Sequence, residues 1–339
     1  MVNIRTSEGQ AQPSPGQGQD LAQLINSGRL LPIISGEALE DMVIKGHQAL
    51  VDRYAQFIGY PLQDRSELHK MAKYQSLIKG YKDQPLKAEY LDVVATHLFE
   101  LAARLGTPER AINEAKEQAT SLKVSDFAKR LGFPHLGEGA KNPLEILANL
   151  PLPILVTTSP YTFIEEALHN AGKPFETEFC RWHSGLDSIP SIFAPGASTP
   201  AYRPTDKRPL VYHLYGLDKY EDSLVLTEDD YLDFLMAAAQ GRGKNVDPVH
   251  SVVQGAFNSE PLLLMGFSLS SWSFRALYRG LIKPIPEENP YPRYCCLQLV
   301  PNEDEKRYYE SYLRQEARFD QVYWKDIECF CREDLPVEA

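Results

Sequence analysis

Apolar residues recur along this chain with two different periods, and the change from one to the other falls near residue 150. From Glu37 to about Ser121 the spacing is helical: Leu50, Val51, Tyr54 and Ile58 follow the 3.6-residue period, as do Tyr90, Val94, Leu98, Leu101 and Leu105. Gly59-Tyr60-Pro61 and Gly106-Thr107-Pro108 break these helices. Helix resumes over 124–150 around a glycine-rich loop at 132–140, with Pro143 to Leu150 as its last piece. This stretch shows no strand signal and is long for a single crossover, so 37–149 is expected to be a helical subdomain inserted beside a sheet.

Short apolar runs bounded by turn residues predict the strands. They are Arg29 to Gly36, Pro153 to Thr158, Leu210 to Tyr215, Glu260 to Gly266, Tyr294 to Val300 and a last one near Val322 to Trp324. Helical patterns lie between them at Pro160–Asn170, Val246–Asn258, Ser268–Leu281 and 302–318. Strands alternating with helices imply an α/β fold with a Rossmann-like, mostly parallel sheet built from 20–36 and 150–335, its ligands at the carboxyl ends of the strands. Residues 1–19, rich in Gln, Gly, Ser and Pro, are expected to be a disordered tail, followed by a short helix from Asp20 to Asn26.

The stretch 209–235 is the most informative. His213 and Tyr215 stand two residues apart at the end of a strand before Gly216, which predicts two polar-tipped rings on one face beside a ligand crevice. After a polar turn and a short apolar strand, Thr227 opens a helix, with Asp230 three residues on as a near capping box and Glu228, Asp229 and Asp230 at the positive end of its dipole. Other strand ends supply small polar residues. Ser35 and Gly36 can turn backbone amides toward a phosphate at a helix start, although with one glycine a plain strand-to-helix turn is the favoured reading. Thr157, Thr158 and Ser159 either cap donors or touch a ligand, and Gly266 with Ser268 closes a strand before another helix start.

Charge narrows the function. A formal net charge of −11 argues against a general nucleic-acid or membrane-surface role, because phosphate backbones and anionic lipids repel an acidic surface. Five cysteines contain no C-x-x-C pair, and His47, His69 and His97 form no H-x-x-x-H, so no metal site is expected. The odd cysteine count suits a reducing compartment, and the first residues lack the apolar core of a signal peptide. The expectation is therefore a cytoplasmic protein.

Three segments in this order resemble one family, the SIR2-like domains of bacterial conflict and anti-phage systems, relatives of the sirtuins. They are Val156-Thr-Thr-Ser-Pro160 with Glu165-Glu-Ala-Leu168; Leu210-Val-Tyr-His-Leu-Tyr-Gly216 with Ser223 to Leu235; and Leu262-Leu-Leu-Met-Gly-Phe-Ser-Leu-Ser-Ser-Trp-Ser-Phe-Arg275. The resemblance implies a domain that binds NAD and, in active members, hydrolyses it to nicotinamide and ADP-ribose, as an effector of anti-phage defence that works as a homo-oligomer or with an activating partner protein. It implies no zinc-dependent deacetylation, since the paired cysteines of a zinc ribbon are missing. The family's catalytic asparagine falls on Ser159 and its histidine on Tyr215, with His213 one pleat earlier able to take the basic role. Ser35, Gly36, Thr157, Thr158, Gly216, Gly266 and Ser268 fall at the cofactor crevice. The alternative is a degenerate module that holds NAD, an ADP-ribose derivative or a partner protein without turnover.

Overall fold

The computed structural model describes residues 3–6, 17–63, 65, 67–80, 83–118, 123–134, 142–194, 196–197, 201–240, 248–269, 271–285, 293–297, 303–315, 319 and 321–335. Eight strands form one sheet: β1 (Asn3–Thr6), β2 (Leu31–Ile34), β3 (Ile154–Thr157), β4 (Glu176–Phe179), β5 (Leu210–His213), β6 (Leu262–Phe267), β7 (Arg293–Leu297) and β8 (Gln321–Trp324). Their order is β1-β8-β7-β6-β2-β3-β5-β4, and every neighbouring pair is parallel. A parallel sheet must be covered on both faces, and the side chains show it. Leu155, Val211, Leu263, Met265 and Tyr323 point into one apolar layer; Ile33, Val156, Tyr212, Leu264 and Trp324 point into the other. Helices pack on both layers, which gives the α/β, Rossmann-like architecture expected from the alternating pattern.

The first layer holds the long helical stretch. Helices at Gly36–Ile44, His47–Phe57, Leu68–Lys79, Asp83–Arg104, Glu109–Glu117, Val124–Arg130 and Pro143–Asn149 all lie between β2 and β3 in sequence. Their buried residues join the same core as strand residues Ile34, Leu155 and Val211, so this stretch packs directly on the sheet. A buried ion pair also ties it to the rest: Lys87 Nζ lies 3.3 Å from Asp230 Oδ1 and 5.2 Å over the Trp182 ring.

Several expectations need adjusting. Four residues of the supposed tail, Asn3–Thr6, pair along their whole length with β8. An edge strand needs only backbone partners, which composition does not reveal. The following helix starts at Gln17, not Asp20. Glu176–Phe179 was not expected as a strand, because Glu-Thr-Glu-Phe lacks an apolar run; it is the other edge. The short apolar strand after the polar turn is not a strand: Leu224, Val225 and Leu226 are extended and buried, and Val225 donates one hydrogen bond to Tyr215. The capping box is present, since Asp230 Oδ2 accepts from the Thr227 amide at 2.8 Å and Thr227 Oγ1 accepts from the Asp230 amide at 3.1 Å. Most of the loop expected at 132–140, the start of the helix expected from Val246 and the end of the strand expected at Val300 lie outside the described residues.

Candidate functional site

The sheet changes direction at β2. From β2 the chain moves outward to β3, β5 and β4 on one side, then returns to β6, β7 and β8 on the other. Two neighbouring strands whose following loops diverge leave a crevice at their carboxyl ends. A cavity of about 310 Å3 opens there. Its floor is built from the loops after four strands: Gly36 and Glu37 after β2, Thr158 and Pro160 after β3, Tyr215 after β5, and Ser268 after β6. The helix at Glu228–Gln240 adds Tyr231, and the helix at Trp272–Leu277 adds Trp272 and Ser273. The opposite wall comes from the helical stretch and carries Glu40, His47, Glu67, His69 and Tyr90.

Of the residues expected at a site, Gly36, Thr158, Tyr215 and Ser268 line this cavity, whereas Ser35, Thr157, Ser159, His213, Gly216 and Gly266 stand behind the surface. Each of the latter has an identifiable structural role. Ser35 caps the helix that follows, accepting from the Ala38 amide at 3.0 Å while donating to the Gly266 carbonyl at 2.6 Å. Gly266 sits where the register between β6 and β7 shifts. Thr157 Oγ1 donates to the Ile34 carbonyl and accepts from the Ser159 amide, both at 3.0 Å. Ser159 Oγ accepts from the Tyr161 amide at 3.1 Å. Gly216 has φ +90°, and a Cβ there would meet the Ser223 carbonyl oxygen at 2.1 Å; the crossing of two chain segments excludes any side chain.

His213 is fully buried, and the expectation that it shares a face with Tyr215 is corrected. The strand ends at His213, so the two-residue period stops there and the rings part. His213 points into the first layer. Its Nδ1 donates to the Ser159 carbonyl at 2.6 Å and its Nε2 to Glu165 Oε1 at 2.8 Å. A carbonyl at Nδ1 fixes that nitrogen as a donor, and a carboxylate at Nε2 favours the doubly protonated ring. Burial opposes that charge, but the Glu165 carboxylate outweighs it and raises the His213 imidazole above its ordinary range. Tyr215 turns to the second layer, where its hydroxyl donates to the Ser273 carbonyl at 2.6 Å and burial pushes its ionisation well up. It presents a ring to the cavity, not a base.

The groups with acid–base character in the cavity are others. His47 Nδ1 lies 2.5 Å from Glu40 Oε2. Burial by itself would lower this imidazole, yet the hydrogen bond and charge of Glu40 push it up to about 9. His69 Nε2 lies 3.1 Å from Glu67 Oε2 and 3.8 Å from Glu228 Oε1, and its ring packs 5.5 Å from Trp272. Glu37 stands in the first turn of its helix beside Ser271, and burial raises its carboxyl above the usual range against the pull of His47. The sequence marks Glu37 only as the start of the helical stretch. It set His47 and His69 aside for want of a metal-binding spacing; their convergence depends on the packing of two helices and leaves no local signal.

At the start of the helix after β2, side chains already hold part of the first turn. Gly36 donates its amide to Thr158 Oγ1 at 2.8 Å, and Ala38 donates to Ser35, so side chains hold two amides of the first turn. Gly36 is small for a different reason: a Cβ would lie 3.1 Å from Ser159 Cα, and its absence lets the loops after β2 and β3 touch. Arg275, the last residue of the third segment, is exposed and lies outside the cavity lining, while Phe274 and Tyr278 stack at 5.9 Å in the core.

Residues 153–317 match the family model of the SIR2-like domain. The chain carries a SIR2-like domain. That match spans β3 to β7 and begins after β2 and the helical stretch, so Glu37, Glu40, His47 and His69 lie outside it. A SIR2-like domain points to NAD-related function. Compared with the curated proteins, the chain finds no match. Among the described residues no group of three or more His, Cys, Asp or Glu side chains is placed to hold a metal ion, and no helix is long and apolar enough to cross a membrane.

Proposed function

We propose that this chain takes the nicotinamide-ribosyl end of NAD into the cavity and hydrolyses its glycosidic bond with cavity carboxylates in place of Ser159, His213 and Tyr215. One observation carries the reading: the SIR2-like crevice is walled by Glu37, Glu40 and Glu67 and by the rings of Tyr215, Tyr231 and Trp272. Aromatic faces and carboxylates stabilise a cation, which describes both the pyridinium of the substrate and the oxocarbenium-like ribose formed as it leaves. In the reaction the bond between ribose C1′ and the ring nitrogen breaks, and its electron pair leaves with neutral nicotinamide. Water adds to C1′ and gives up a proton. Glu37, with a raised carboxyl pKa, is the group suited to hold the ribose and accept that proton. A role in bacterial anti-phage defence rests on the resemblance of the three sequence segments alone.

A second reading, binding without turnover, is supported by the saturation of Ser159, His213 and Tyr215 with internal hydrogen bonds. Isothermal titration with NAD, followed by chromatography of the same samples for free nicotinamide, separates the two. Binding with release that Glu37→Gln abolishes supports hydrolysis, binding without release supports the second reading, and the absence of binding refutes both.

A further inference from the structure

Phosphate sites in proteins rest on guanidinium or ammonium groups, or on unpaired amides at a helix start. Among the described residues the cavity lining contains no lysine or arginine, its His47 imidazole is held by Glu40, the first-turn amides of Gly36 and Ala38 are held by Thr158 and Ser35, and the Glu37 carboxyl stands at the same turn. Any phosphate drawn toward that helix would meet a carboxyl before it met a donor. At about 310 Å3 the cavity is also at the small end of ligand sites, which run from roughly 300 to 1,000 Å3. One nucleoside portion of a dinucleotide fills it.

Resting on the NAD-linked reading above, we infer that the cavity selects the positively charged ribosyl-pyridinium group itself and gives no purchase to phosphate, so that the free nucleoside is as good a ligand as the dinucleotide. Selectivity then comes from the ring charge. Trp272 and Tyr231 offer aromatic rings to the pyridinium, and Glu37 supplies the opposite charge, since Glu67 is paired with Lys70 at 2.7 Å. The Glu40 carboxylate is already committed to His47. Whatever is attached at the ribose 5′ position lies toward the mouth, where it is solvated and contributes little.

The test is calorimetric titration of the full chain with nicotinamide riboside, nicotinamide mononucleotide, NAD and ADP-ribose, and with the reduced, uncharged form of the riboside. The expected order has the riboside within about threefold of NAD or tighter, with ADP-ribose and the reduced riboside at least tenfold weaker, because both lack the cation. In Glu37→Gln the penalty for the reduced riboside should shrink severalfold, with the melting temperature of the variant confirming its fold. NAD or the mononucleotide binding more than tenfold tighter than the riboside would overturn the inference while leaving the NAD-linked reading in place, and so would ADP-ribose binding as tightly as NAD. Failure of all five ligands to bind would overturn both.

Discussion

His213→Ala separates a structural histidine from a catalytic one. In the folded chain the His213 side chain has no exposure and that of Glu165 has 6%, and they meet at 2.8 Å. Removing one partner of a buried pair strands the other, which costs about 3–5 kcal/mol. Unfolding entropy of roughly 2.1 cal/mol/K per residue gives about 0.7 kcal/mol/K for this chain, so the loss should lower the melting temperature by about 4–7 °C. The pH dependence follows from the raised His213 pKa. A group whose pKa is higher folded than unfolded contributes fully below its unfolded value, about 6.5, and the contribution fades as pH rises through the folded value. The gap between wild type and variant should therefore be largest near pH 6 and shrink in alkaline buffer. The assay is thermal melting from pH 6 upward, with nicotinamide release measured below the melting range. If His213→Ala melts like the wild type but releases no nicotinamide, His213 is catalytic and the buried-pair argument is wrong. Should the variant not fold, Glu165→Gln keeps a hydrogen-bonding side chain beside His213 and gives the same contrast with a smaller loss.

Three further outcomes follow from other contacts. Glu37→Gln should lower nicotinamide release by at least tenfold with little change in melting temperature, because Glu37 lines a cavity and makes no ion pair within 4 Å among the described residues; an unchanged rate would remove it from the chemistry. Lys87→Met should destabilise by about 3 kcal/mol, since Asp230 keeps its amide donors but loses its buried cation, and it should weaken ligand binding through Tyr90, one helical turn away. Denaturant titration and calorimetry measure the two effects. Asp218 is buried and its carboxyl is pushed up to about 6 by burial, so its ionisation opposes folding as pH rises from about 4 to 6; Asp218→Asn should gain up to about 3 kcal/mol at pH 8 and almost nothing at pH 4, as read by chemical denaturation at both values.

The sheet was legible because parallel strands are buried on both faces and read as bare apolar runs: Leu262 to Phe267 and Leu210 to His213 could be little else. Both edge strands escaped, since Asn3–Thr6 and Glu176–Phe179 are held by backbone pairing that any side chains permit. For the site, alternation along β5 was a sound guide only as far as the strand extends. Three residues beyond its end, Gly216 turns the chain, and Tyr215 goes to the cavity while His213 goes to a carboxylate on the other face.

The helical stretch is where sequence reading had least to offer and the structure adds most. The helices between β2 and β3 line the crevice at the strand ends with Glu40, His47, Glu67, His69 and Tyr90, and the first of those helices also carries Glu37. Chemistry that the SIR2-like part supplies at Ser159 and Tyr215 only in hydrogen-bonded, buried form is thus available from a segment outside the family match. The division of labour has a physical cause. Groups that saturate one another at the strand ends stand behind the cavity surface, whereas the carboxylates and imidazoles of the helical stretch line the cavity itself. A chain in which Glu37, His47 and His69 were replaced together by Gln, Ala and Ala should therefore keep its sheet and its Glu165–His213 pair, melt at least about 4–7 °C lower because buried Glu40 loses His47, and lose nicotinamide release below its melting range. If that triple variant still turned over NAD, the chemistry would have to lie on the SIR2-like side of the cavity after all.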